Sequence, residues 1–118
     1  MNVVARLKEG VEVTQAQADE LSARGESVQP FKKGPHYIDP LWLDLAAGRR
    51  CYTLDPYMSD EGEIRAEFAH RMHGATLGIV EGNKGLHDGL DLNGSDSNAA
   101  LAVILGAPVI LVLDARGM

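Results

Sequence analysis

One cysteine, Cys51, stands among 118 residues. A lone cysteine excludes an intrachain disulfide and points to a reducing compartment. As a small apolar side chain it reads as a half-buried packing residue rather than a nucleophile. No apolar run approaches the ~20 residues that a membrane-spanning helix needs. The N-terminus has no signal-peptide core, so the expectation is a soluble, cytoplasmic domain without a membrane partner. Cations are outnumbered, 11 Lys and Arg against 17 Asp and Glu, for a net charge of -6. That balance excludes broad nucleic-acid binding through charge. Local cations and backbone N–H groups can still hold an anionic ligand. No pair among His36, His70, His73 and His87 has zinc-ligand spacing. There is no internal repeat, and no G-x-x-x-x-G-K-[ST] phosphate loop occurs anywhere.

What is present is a globular composition, 45% apolar, in a length that suits one small domain with a single core. The most informative stretch is Ala75 to Ser97, ATLGIVEGNKGLHDGLDLNGSDS. Leu77, Ile79 and Val80 form a short apolar run of the kind buried strands show. It ends at Glu81-Gly82 and runs into Gly85, Gly89 and Gly94, with Asp88, Asp91 and Asp96 between them. A carboxylate at the carboxyl end of a buried strand, followed by a glycine-rich loop, is where open α/β sheets bind ligands. Such a carboxylate can hold Mg²⁺ directly or through water. The plainer reading is a loop of turn-forming residues.

Around this stretch the chain alternates strand and helix signals. Val3 and Val4 suggest a short strand. Thr14 caps a helix over Gln15 to Arg24 that Gly25 stops. Ser27 to Phe31 reads as a strand leading into the cationic turn Lys32-Lys33-Gly34-Pro35. A helix is expected from Asp39, with Pro40 in its first position, Leu41, Trp42 and Leu45 on its apolar side, and Gly48 at its end. Arg49 to Asp60 carries turn signals. Gly62 to Met72 predicts a helix with Ile64, Phe68 and Met72 on one core face, started by the acidic run Ser59 to Glu63. Ser95 or Ser97 caps a last helix that runs to about Leu105 and stops at Gly106. Pro108 to Leu113 has the continuous apolar pattern of a parallel strand covered on both faces. Alternation of this kind predicts an α/β fold with a parallel sheet and right-handed crossovers. Lys32 and Lys33 read by default as solvated charges, and His70 and His73 as a partly exposed helix end.

Four segments together resemble one family. Phe31-Lys32-Lys33-Gly34-Pro35-His36-Tyr37-Ile38-Asp39-Pro40 resembles the FK-x-GPDYIDP segment of the cobyrinic acid a,c-diamide synthases. Thr53-Leu54-Asp55-Pro56-Tyr57-Met58 resembles their NLDPWM, and Glu81 to Gly89 their EGVMGLYDG. Leu105 to Ala115 is similar to their LGAPVVLVVDA. The segments keep order and spacing over about residues 20 to 115. The wording EGNKGLHDGLDLNGSDSNAALA is most similar to the branch found with dissimilatory sulfite reductase genes, which implies sirohaem rather than a corrin as acceptor.

The resemblance implies ATP- and Mg²⁺-dependent amidation of a tetrapyrrole carboxylate, through phosphorylation of the carboxylate and displacement by ammonia. It implies a P-loop-type fold like that of dethiobiotin synthetase, a three-layer α/β/α arrangement present here in part. A glutamine amidotransferase domain is the implied partner. By position, Glu81 corresponds to the strand-end Mg²⁺ ligand, and Asp39 to an acid of the ATP and carboxylate site that also serves the metal. Tyr37 lies in the same signature, Asp88 corresponds to the loop acid near the acceptor carboxylate, and Lys32 to the lysine near the phosphates. A metal and a lysine suit charge that develops on phosphoryl oxygens.

The sequence departs from the family at position 36, which is His where the family has Asp. It also departs at Leu7 to Ala18, LKEGVEVTQAQA, where the family places its phosphate loop. Residues 1–18 therefore read as a divergent N-terminal segment, and residues 19–118 as part of the ATP-binding domain. The expectation is a chain with little amidation activity alone. The alternative is a non-catalytic module that binds a tetrapyrrole or a partner. The oligomeric state, a homodimer included, is left open.

Overall fold

A computed structural model describes residues 2–6, 20–34, 47–82, 94 and 97–110, with the backbone alone for 2–6. The strands are β1 (Asn2–Arg6), β2 (Val28–Lys33), β3 (Tyr52–Leu54), β4 (Leu77–Glu81) and β5 (Val109–Ile110). The helices are α1 (Glu61–Arg71) and α2 (Asn98–Leu105). All strand pairs are parallel, in the order β3-β2-β4-β1-β5. The α/β class with a parallel sheet is therefore as the alternation of signals predicts.

Burial explains the sheet's centre. Every residue of β2 and of β4 is buried, as expected where helices cover both faces. Alternate residues serve opposite faces. Phe31 and Val80 pack on one side with Leu54, Ile64, Phe68, Met72 and Leu101. Val28 and Ile79 pack on the other, with Leu21 and Ala47 against them. Helices α1 and α2 therefore lie on the first face, and among the described residues Leu21 and Ala47 lie on the second. Phe31 and Phe68 meet ring to ring at 5.0 Å. Gly78 sits beneath this contact: a Cβ there would lie 2.9 Å from Met72 Sδ and 3.5 Å from Phe68, so a larger residue would have to displace the Met72 side chain.

Local chemistry sets the helix ends. Asp60 caps α1 through a reciprocal box: its carboxylate accepts from Glu63 N, and Glu63 Oε1 accepts from Asp60 N. Ser97 Oγ accepts from Ala100 N at the start of α2, and Gly106 closes that helix in a left-handed conformation. Two features differ from expectation. β3 occupies a stretch whose flanking turn signals suggest a loop; three residues are too short to show a period. Val109 and Ile110 are not covered on both faces but stand about 40% exposed (41% and 42%), because β5 is an edge strand. The expected helix from Asp39, with Trp42, lies outside the described residues, as do Thr14 and the glycine-rich loop from Asn83 to Asn93. Among the described residues no helix is long and apolar enough to cross a membrane.

Candidate functional site

The parallel register brings five strand ends into one row: Thr53, Lys32, Glu81, Arg6 and Ile110 are successive Cα partners. Near the middle of this row β2 and β4 lie side by side. Ala47 packs on the face of Val28 and Ile79, and Leu101 on the opposite face. The carboxyl ends of such parallel strands are the usual ligand position in open α/β sheets.

Lys32 and Glu81 face each other at these ends. Lys32 Nζ donates to Glu81 Oε1 at 2.9 Å and to the Gly82 carbonyl at 3.2 Å. Both side chains are 0% exposed. Two charges sealed from water are costly unless each is paired and hydrogen-bonded. Glu81 meets that condition through one oxygen only: Oε2 is buried and has no hydrogen-bond partner among the described residues. A buried carboxylate oxygen left open is rare in a purely structural pair and is the donor type that a hard cation accepts. Among the described residues no three His, Cys, Asp or Glu side chains cluster to hold a metal unaided. Glu81 can therefore contribute to a site whose further oxygens come from water, ligand phosphates or other residues.

The turn after β2 is tightly packed. Gly34 N donates to the Leu54 carbonyl at 2.8 Å. A Cβ on Gly34 would collide with the Thr53 methyl group and lie 3.2 Å from Asp55 Cβ, so only glycine lets the β2 and β3 exits approach. Asp55 Oδ1 accepts from Tyr57 N at 3.0 Å, an Asx turn that carries the chain toward α1. Lys33 is 4% exposed, which corrects its default reading as a solvated charge, and Lys32 is fully buried as well. Their side chains alternate across a sheet covered on both faces, so neither reaches bulk water.

Of the sequence candidates, Lys32 and Glu81 come together. Tyr37, Asp39 and Asp88 lie outside the described residues, as does His36. Cys51 is buried, its Sγ 3.9 Å from the Tyr52 carbonyl. His70 and His73 are exposed at the end of α1. Sequence reasoning missed a cluster at the opposite edge of the sheet. Arg49 Nε donates to Gln29 Oε1 at 2.9 Å, and its Nη2 donates to the Arg71 and His73 carbonyls at 3.3 and 3.0 Å. A guanidinium thus closes the C-terminus of α1, where the dipole favours a cation. Gln29 Nε2 in turn donates to the Pro30 and Arg50 carbonyls at 3.0 and 2.7 Å. Pro30 has no N–H, and β2 pairs with β3 only from Phe31 onward; the Gln29 amide bridges the unpaired part. The adjacent pair Arg49-Arg50 is the only trace of this cluster in the sequence.

No family model matches the chain. Curated relatives do. The chain is 57% identical over 96 residues, 81% of its length, to a protein of Magnetococcus marinus named cobyrinate a,c-diamide synthase. It is 46% identical over 99 residues, 83% of its length, to a Syntrophotalea carbinolica protein of the same name. It is 45% identical over 102 residues, 82% of its length, to the Mycobacterium bovis protein named hydrogenobyrinate a,c-diamide synthase. The matches cover 21%, 22% and 22% of those proteins, so the chain spans about a fifth of the length of the curated relatives it matches.

Proposed function

We propose, from the premise that this chain corresponds to a segment of the cobyrinate and hydrogenobyrinate a,c-diamide synthase family, that it forms a nucleotide-facing part of a ligase that amidates a tetrapyrrole carboxylate. ATP and Mg²⁺ are its cofactors, a cobyrinate- or sirohaem-type tetrapyrrole its acceptor, and a glutamine amidotransferase unit its ammonia source. The observation that carries this reading is the buried Lys32–Glu81 pair with one carboxylate oxygen open among the described residues, set at the carboxyl ends of β2 and β4.

Glu81 fits Mg²⁺ by donor chemistry, since that ion takes one or two carboxylates and completes its shell with water and phosphate oxygens. In this reading Glu81 and Asp39 hold the metal, and Tyr37 and Asp88 attend the acceptor carboxylate. Mg²⁺, when bound, supplies charge stabilisation at the phosphoryl oxygens. Lys32 acts chiefly on Glu81: its ammonium fixes the carboxylate rotamer, neutralises it while the site is dry, and keeps a positive charge beside the phosphates. Residues 1–18 are the divergent N-terminal segment and residues 19–118 part of the ATP-binding domain. Without a G-x-x-x-x-G-K-[ST] run, the 118-residue chain binds nucleotide without amidating an acceptor by itself.

Calorimetric titration with ATP, with and without Mg²⁺, tests the reading. Expected is saturable binding that needs Mg²⁺ and is lost in Glu81→Gln, an isosteric change that keeps a hydrogen-bond acceptor for Lys32. Absence of any Mg²⁺-dependent binding overturns it, and ATP-dependent amidation of a tetrapyrrole by the purified chain overturns the claim of inactivity. A second reading, tetrapyrrole binding without phosphoryl transfer, is favoured by the same missing loop. A saturable shift of the sirohaem absorbance without nucleotide affinity selects it.

A further inference from the structure

The amino edge of the sheet holds a cleft of a different character. It measures about 280 Å³. Arg49, Arg50 and Arg71 line it together with His70, His73 and Tyr52, and no carboxylate of the described residues does. This lining belongs to a chain with a net charge of -6. Arg71 Nε is paired to Glu67 Oε1 at 2.8 Å, and that carboxylate raises the guanidinium's pKa above its ordinary value. Its Cζ lies 3.9 Å from the Tyr52 ring centroid. Arg50 Cζ approaches the same ring at 5.6 Å, and among the described residues the Arg50 side chain has no carboxylate partner. Among the described residues Arg49 donates to neutral oxygens. Three guanidiniums therefore converge on one small space, offset among the described residues by the Glu67 carboxylate outside the cleft.

A cleft lined by charge of one sign concentrates the opposite sign. Guanidinium forks match the oxygens of phosphate and carboxylate groups in pairs, and an aromatic ring between two of them restricts where they point. The volume lies just under the range of sites that take drug-sized ligands, which suits a compact anion. We propose that this cleft is a binding site for a compact oxyanion with two or more negative charges, a phosphoryl group or a polycarboxylate. It is separate from the Lys32–Glu81 site. Gln29 and Lys32 are three residues apart in β2, roughly 10 Å along the strand, and face opposite sides of the sheet.

The test is calorimetric titration of the 118-residue chain with inorganic pyrophosphate and, separately, with citrate, at low ionic strength where screening is weakest. One-to-one saturable binding is expected for at least one of them. Arg50→Gln should weaken it tenfold or more, the scale of one lost charge-assisted contact. That change spares the Arg50 carbonyl on which Gln29 relies. Arg24→Gln, which removes an exposed arginine outside the cleft, should leave the affinity unchanged. Tighter binding of pyrophosphate assigns the site to phosphoryl groups, and tighter binding of citrate to polycarboxylates. No saturable binding of either anion, or equal affinity in wild type and Arg50→Gln, overturns the proposal.

Discussion

Replacing Lys32 by Met is the most revealing change to stability. The side chains are similar in length, so the packing loss is small, while the ammonium beside Glu81 disappears. Glu81 is then left with neither oxygen paired among the described residues, because Oε1 has lost its Lys32 contact and Oε2 had none. Both groups are 0% exposed, so water does not take over. Stranding one charge of a buried pair costs about 3–5 kcal/mol. A domain of this size has a total stability of about 5–15 kcal/mol, so the variant keeps a minority of it in the weaker cases. At ~4 °C per kcal/mol, the melting temperature falls by roughly 12–20 °C. Urea denaturation followed by far-ultraviolet circular dichroism measures this, with an unchanged slope showing that the two states compared are the same. The double variant Lys32→Met/Glu81→Leu removes both charges, and should recover to within about 1 kcal/mol of wild type or exceed it. A loss below about 1 kcal/mol for Lys32→Met, the value for exposed pairs, refutes the burial argument. So does a double variant no more stable than the single one.

Three further outcomes follow from local contacts. Asp60→Ala removes the α1 capping box and should cost about 0.5–2 kcal/mol by urea denaturation; Asp60→Asn should cost less, since an amide oxygen still accepts from Glu63 N. Arg49→Ala frees Gln29 Oε1 and the carbonyls that close α1, and should cost about 1.5–3 kcal/mol. Arg49→Lys should recover only part of this, because an ammonium lacks the planar fork that reaches all of these oxygens. Phe68→Ala empties the space against Phe31 and above Gly78, and should cost about 3–5 kcal/mol, with hydrogen-exchange protection lost first in α1.

Much of the fold is legible from local chemistry. The acids that open α1, the core face of Ile64, Phe68 and Met72, Ser97 and Gly106 around α2, and the run Leu77 to Glu81 all act within one element. Their signals survive without tertiary context. β3 is less legible because three residues cannot display a period and its partner, β2, is 21 residues earlier by register. Lys33 misleads because burial of a lysine depends on the layers above and below it. At the candidate site, motif wording singles out Lys32 and Glu81 separately. Their ion pair across 49 residues is a product of strand register. The basic cleft is the hardest to foresee. Arg49 and Arg50 lie some twenty residues before His70, Arg71 and His73, and only the crossover through α1 returns the second group to the first.

The account rests on the carboxyl edge of β2 and β4 as the place where metal and nucleotide meet the chain. Mn²⁺ accepts the same hard oxygen ligands as Mg²⁺ and broadens nearby nuclear resonances. Added with ATP to the ¹⁵N-labelled chain, it should broaden the amides of Lys33 and Gly82 strongly and spare those of Arg50 and His73 at the other edge, and Glu81→Gln should abolish the effect. Broadening centred on Arg50 and His73, or none that depends on Glu81, would contradict it.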